Sequence, residues 1–134
     1  MFADEKDIII LRNIFYKDQK KRDLSLRGHP VLIIKKTETD FYYLTISSSS
    51  SKTSHKLKGQ HYKIRRNLEN NLKSPVSFIN LKNIYKSEIK GYCSYGTIDE
   101  EEYDEIIRRF DNFQNNVQKD EFYDEVKNIS IKEK

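Results

Sequence analysis

The stretch Arg27-Gly28-His29-Pro30-Val31-Leu32-Ile33-Ile34, then a polar turn from Lys35 to Asp40, then Phe41-Tyr42-Tyr43-Leu44-Thr45-Ile46, decides how this chain folds. The second apolar run empties into five serines, Ser47–Ser51, and Lys52. Both runs are short and rich in β-branched or aromatic residues, the composition of strands. A short turn between them predicts a pair of neighbouring strands. In an antiparallel pair the start of one strand lies beside the end of the other. Arg27 and His29 are therefore expected next to Ser47, Ser48 and Lys52. A cation, an imidazole and a patch of hydroxyls would share one mouth, and such a mouth could hold a phosphodiester.

Outward from this pair, Asp7-Ile8-Ile9-Ile10-Leu11 and its continuation to Phe15 read as a first, largely buried strand. Tyr16–Leu26 is polar and basic without a helical stripe, and reads as a long mobile loop, of a kind uncommon without a job. Ser47–Gly59 reads as a second long loop. Gln60–Arg66 is expected as strand four and Val76–Leu81 as strand five, with a single helical turn possible in Asn67–Ser74. Ile84, Tyr85 and Glu88–Tyr92 indicate one more short strand. The period then changes. Thr97-Ile98-Asp99-Glu100 has the form of a capping box. Tyr103, Ile106, Ile107, Phe110 and Phe113 recur at three- and four-residue spacing, which predicts an amphipathic helix of about 14 residues. A shorter helix is expected at about Asp120–Lys127, with a fraying end from Asn128 to Lys134. Strands first and helices last describe an α+β domain: a small, strongly curved antiparallel sheet or barrel with a helix packed on one side. The whole chain, 1–134, reads as one domain, with a β body at about 7–92 and C-terminal helices at about 97–127.

Composition sets further bounds. A chain of 134 residues with nine Tyr and seven Phe can bury a modest core. It holds no run approaching the roughly 18 consecutive apolar residues of a membrane span. Met1–Asp7 has no basic n-region, so a secretory signal is not expected. The single cysteine, Cys93, forms no internal disulfide and is read as a small filler in a half-buried strand, in keeping with a cytoplasmic location. The net charge of +4 hides a division. Residues 12–90 carry 18 Lys and Arg against 6 Asp and Glu, whereas residues 91–134 carry 6 against 12. A basic body beside an acidic end points to a polyanionic partner. The bland alternative is a solvated, lysine-rich surface.

The three histidines, His29, His55 and His61, lack the spacing of a zinc site, and carboxylates are scarce in the basic body. No metal and no cofactor are expected. Cleavage of RNA through its own 2′-OH needs neither. It needs a base for the hydroxyl, donors for the charge growing on phosphorus, and an acid for the leaving 5′-oxygen. Histidine, lysine, arginine and hydroxyls do those jobs. Taken singly, Pro30 could simply start an edge strand, His29 could be a half-exposed neighbour, and serine runs are usually loops.

Lys6-Asp7-Ile8-Ile9, Gly28-His29-Pro30-Val31-Leu32-Ile33-Ile34, the strand ending in Ile46-Ser47-Ser48, Leu81-Lys82-Asn83-Ile84-Tyr85-Lys86 and Gly96-Thr97-Ile98 follow one another in an order that resembles the MazF/PemK family of toxin endoribonucleases. Ile79-Asn80-Leu81-Lys82 and the two-helix ending are closer to the ToxN, AbiQ and CptN-like toxins of type III toxin–antitoxin systems. The resemblance covers roughly residues 6–115. It implies a small SH3-like barrel with C-terminal helices and metal-independent cleavage of single-stranded RNA to a 2′,3′-cyclic phosphate. It further implies a role in phage defence, a small structured RNA as antitoxin, and a protein–RNA oligomeric assembly. A MazF-type enzyme with a protein antitoxin and a non-catalytic RNA-binding barrel are the alternatives. Where the family places an arginine before the proline, this chain has His29, with Arg27 two residues earlier. Where the family has a catalytic Thr or Ser, it has Ser47 and then Ser48. Lys52 stands for the nearby lysine of ToxN-like members. The RNA-binding surface is expected on two basic segments, through Lys17, Lys20, Lys21 and Arg22 in the first and Lys56, Lys58, Lys63, Arg65 and Arg66 in the second. Tyr43, or Tyr16, Tyr42 or Tyr62, would stack on flipped bases.

Overall fold

The computed structural model of the protein describes residues 3–11, 29–48, 59–88 and 92–132, with residues 29 and 130–132 described by their backbone. In chain order the elements are β1 (Asp7–Leu11), β2 (His29–Lys36), β3 (Asp40–Ser47), β4 (His61–Arg65), β5 (Val76–Asn80), β6 (Tyr85–Glu88), β7 (Tyr92–Thr97), α1 (Glu100–Asn116) and α2 (Tyr123–Lys132). The seven strands form one antiparallel sheet in the order β4-β5-β3-β2-β1-β7, with β6 also paired to β3. The expected α+β class is what the chain adopts.

The β2–β3 pair lies at the centre. Its uninterrupted apolar runs have a physical reason, because both faces of these strands are buried. Leu32, Ile34, Tyr42, Leu44 and Ile46 belong to a core shared with the helices. Val31, Ile33, Phe41 and Tyr43 alternate with them and enter a second cluster with Ile9, Leu11 and Tyr85 on the other face. The turn between the strands is closed by Thr37, whose N–H donates to the Asp40 carbonyl at 2.8 Å and whose hydroxyl accepts from the Asp40 N–H at 2.9 Å.

The second cluster sits inside a curl. The rings of Phe41 in β3 and Tyr92 in β7 meet edge to face at 5.6 Å, although β2 and β1 lie between those strands. Three strand spacings in a flat sheet would separate them by roughly 14 Å. The sheet is strongly curved, and among the described residues it is not closed, so a barrel is not shown.

On the other face α1 lays Tyr103, Ile106, Phe110 and Phe113 onto the sheet, and α2 adds Tyr123 and Val126. Buried Gln114 locks α1 to the strands by donating to the Leu81 and Lys82 carbonyls at 2.7 and 3.0 Å. Asp120 seats the turn before α2, accepting from the Phe122 N–H at 2.8 Å and the Ile84 N–H at 3.1 Å.

Five readings are corrected in detail. The stretch after β6 holds a full further strand, β7, which pairs with β1. Asn67–Ser74 forms turns without a helix, organised by buried Asn70. Its side chain accepts from the Asn67 and Leu72 N–H groups, both at 3.1 Å, and donates to the Arg65 carbonyl at 2.9 Å. The cap of α1 is Asp99 and not Thr97, because the Thr97 hydroxyl donates to the Lys6 carbonyl while Asp99 accepts from the Glu102 N–H. The second helix runs to Lys132 where a frayed end was expected. Cys93 is exposed and not half-buried. The expected continuation of β1 to Phe15 and the loop at Tyr16–Leu26 lie outside the described residues. So does most of the loop after Ser48.

Candidate nucleic-acid interface

The hairpin register sets the site. Val31 faces Thr45 across β2 and β3. The pairing ends there; His29 is the first residue of β2 and Ser47 the last of β3, so both lie at the same end of the antiparallel pair. On its other edge, β2 places His29 opposite Leu11 of β1. Ser47 in turn faces Phe78 of β5, and Phe78 faces Lys63 of β4. The register thus joins Leu11 to His29 in one row, and Ser47, Phe78 and Lys63 in another. A register row shares a face of its sheet. Ser47 and the following Ser48 are exposed, and Lys63 is exposed.

The β4–β5 hairpin extends this row into a surface. Ile64 and Ile79 point into the core, so by alternation His61, Lys63 and Arg65 lie on the outer face with Phe78. Lys63, Arg65 and Arg66 are exposed; the Arg66 guanidinium donates to the Lys73 carbonyl at 2.9 Å. His61 and Phe78 meet at 6.5 Å between ring centroids with their planes at 87°. Residues 59–82 carry five Lys and Arg (63, 65, 66, 73, 82) against one acidic residue, Glu69. This part of the expected basic surface is therefore presented to solvent. Arg27, Lys52, Lys17, Lys20, Lys21, Arg22, Lys56 and Lys58 lie outside the described residues, as does Tyr16.

The tyrosines are corrected. Tyr43 is 2% exposed, and its ring stacks on Tyr85 at 5.7 Å inside the curl. Burial raises its phenol well above the ordinary value. Its ring is closed to a nucleobase because the second face of β3 is itself a core. Tyr42 is buried too, and its hydroxyl donates to Glu125 Oε1 at 2.7 Å. Tyr62 is half-buried, turned to the helices, with its hydroxyl 3.2 Å from Glu102 Oε2 and Arg109 over its ring. Sequence reasoning missed Phe78 and His61 as members of this surface. The signal was the alternation in β5, where Ser77 is buried beside Ile79 and Phe78 is turned out.

A separate cavity of about 170 Å³ lies at the far end of β2, bounded by Lys35, Tyr103, Phe110, Asp111 and Lys127 among others. Of its three carboxylates, Asp111 is already engaged, accepting from the Tyr123 hydroxyl at 2.8 Å and from Lys127 at 3.2 Å. Among the described residues no three His, Cys, Asp or Glu side chains gather as metal ligands. Among the same residues no helix is long and apolar enough to cross a membrane.

Compared with known proteins, the chain matches no protein-family model and no curated protein.

Proposed function

We propose that this protein is a metal-independent endoribonuclease that cuts single-stranded RNA through its 2′-OH, and that it acts in the cytoplasm as the toxin of a type III toxin–antitoxin system used in phage defence. The observation that supports the reading is the antiparallel β2–β3 pair, in which β2 begins at His29 and β3 ends at Ser47, with Ser47 facing Phe78 and Phe78 facing Lys63. In this reading the curled sheet is an opened version of the small SH3-like barrel that the sequence resembles. A base removes the 2′-OH proton, the oxygen attacks phosphorus, and the 5′-oxygen leaves with a proton from an acid. His29 transfers a proton. Ser47 or Ser48 donates to the phosphate oxygens, and Arg27 and Lys52 supply charge from the flanking segments. The products are a 2′,3′-cyclic phosphate and a free 5′-hydroxyl. A structured RNA antitoxin covers the same basic surface, so inhibition and substrate binding compete.

Purified protein incubated with single-stranded RNA in EDTA tests this. Cleavage is expected to persist, and mass spectrometry of the fragments should find the cyclic phosphate. His29→Ala should slow cleavage by about 10²–10⁴-fold. A His29→Ala protein that cuts at full rate removes His29 from the mechanism. RNA bound yet left intact by the parent protein makes the surface a binding module and ends the enzymatic reading. Tandem short repeats in the DNA upstream of the coding frame are expected for an RNA antitoxin. A small open reading frame there would replace it with a protein one.

A further inference from the structure

Among the described residues, Phe78 is an aromatic side chain that neither core cluster uses. It sits mid-strand in β5, and it is half-buried where Ser77 and Ile79 on either side are fully buried. Its register neighbours are Ser47 on one side and Lys63 on the other. His61, on the same face of β4, meets it perpendicularly, so the imidazole does not lie flat on the ring. Neither β4 (HYKIR) nor β5 (VSFIN) contains an acidic residue. An aromatic ring between a hydroxyl and a lysine, with arginine at the next outward position, has the makeup of a platform for one unit of a single strand. The ring takes the base and the cations take the phosphates that follow it.

We infer that Phe78 is a stacking platform for a base of the single-stranded RNA, with Lys63 holding an adjacent phosphate and His61 fixing the ring in place. This deepens the proposed function and rests on it. The subsite lies one strand away from Ser47, so a base stacked on Phe78 brings a neighbouring phosphodiester toward the hairpin mouth. The charge of the outer face fits a polyanion. The stacking residue is thus a phenylalanine of β5 and not one of the tyrosines of β3.

The sequence contains no tryptophan, which provides a direct probe. The full chain is titrated with a short 2′-O-methyl oligoribonucleotide, which cannot be cleaved through its 2′-oxygen, and anisotropy reports affinity. Phe78→Ala should bind from about 5-fold to about 150-fold more weakly, the range for losing one base–aromatic stack. Phe78→Trp should bind like the parent, and its single indole emission should be quenched as the oligonucleotide saturates. Lys63→Gln should reduce the log–log salt slope by about 0.7. If Phe78→Ala does not fold, the Phe78→Trp quench decides alone. Unchanged affinity in a folded Phe78→Ala protein, or an indole unmoved at saturation, overturns the subsite. If the parent still binds and cuts RNA in that case, the proposed function stands without it. A parent that binds no RNA overturns both.

Discussion

Gly96→Ala should be among the most damaging single-methyl changes in this protein. Gly96 lies in β7 opposite Ile8, where the strand passes over the Asn67–Asn71 turn. A Cβ built there would stand 2.3 Å from the Asn70 carbonyl oxygen, 2.6 Å from the Asn70 carbonyl carbon and 2.7 Å from the Glu69 carbonyl oxygen. All three are backbone atoms, so no side chain can swing aside. The two segments must part by roughly 1 Å to reach ordinary carbon–oxygen contact. Two hydrogen bonds cross the same gap: the Thr97 N–H to the Glu69 carbonyl at 2.9 Å and the Asn71 side-chain amide to the Tyr95 carbonyl at 3.2 Å. Overpacking of this kind costs about 1–3 kcal/mol, and each strained hydrogen bond adds about 1 kcal/mol. A loss of about 3 kcal/mol is expected, with a fall of roughly 10 °C in Tm for a domain of this size. Urea and thermal unfolding followed by circular dichroism measure it. Gly59→Ala is the contrast. Its φ of +80° is unfavourable for a side chain, but the nearest atom is 4.0 Å away, so backbone strain alone should cost about 1–2 kcal/mol. A Gly96→Ala protein within 1 kcal/mol of the parent refutes the close approach of β7 to the turn.

Asn70→Ala removes the acceptor of two backbone N–H groups and the donor to a third backbone group in a buried turn. It should cost about 3 kcal/mol, read from the urea midpoint, and a cost under 1 kcal/mol would mean that the turn is held by something else. The phenols of Tyr43 and Tyr103 are raised above their ordinary value, chiefly by burial. Folding therefore favours their neutral forms, so this contribution is intact below about pH 10. It declines above that, by up to about 1.4 kcal/mol per pH unit for each tyrosine. Spectrophotometric titration should show these two ionising only as the chain unfolds. All nine tyrosines titrating together near pH 10 in a folded protein would contradict the buried placement. Gln114→Ala should detach α1 from the Leu81–Lys82 carbonyls, costing about 2 kcal/mol. Faster amide exchange should appear at the N–H of Asp120, which donates to Gln114, and protection equal to the parent's would rule that link out.

The central hairpin was legible because apolar side chains on consecutive positions announce strands buried on both faces. The same feature concealed the fate of Tyr43. Sequence alone does not say that a second core closes over β3, and a tyrosine looks equally suited to that core and to a base. The strand β7 was legible only at its start, around Tyr92 and Cys93. Tyr92-Cys93-Ser94-Tyr95-Gly96-Thr97 has strand-forming Tyr and Thr but no apolar alternation and a glycine near its end, and it becomes a strand by pairing with β1. Thr97 and Asp99 are both good caps, and only the distant Lys6 carbonyl decides between them. On the functional side, the placing of His29 and Ser47 at the same end of one antiparallel pair followed from a short turn. The membership of Phe78 and His61 did not, because it depends on β5 joining the end of β3 from across the sheet.

The pairing of β1 has a consequence for how the chain is made. Asp7–Leu11, with three consecutive isoleucines, leaves the ribosome before both of its partner strands, and those partners are far apart in sequence. One edge meets β2, starting at His29. The other waits for Tyr92–Thr97, some 80 residues later, which at 5–20 residues per second is a delay of about 4–16 s. During that interval an apolar strand edge stands open on the nascent chain, the kind of surface that other strands and chaperones seize. The sheet can assemble in sequence order as far as β6. The outermost strand is sealed only when synthesis has nearly reached the first helix.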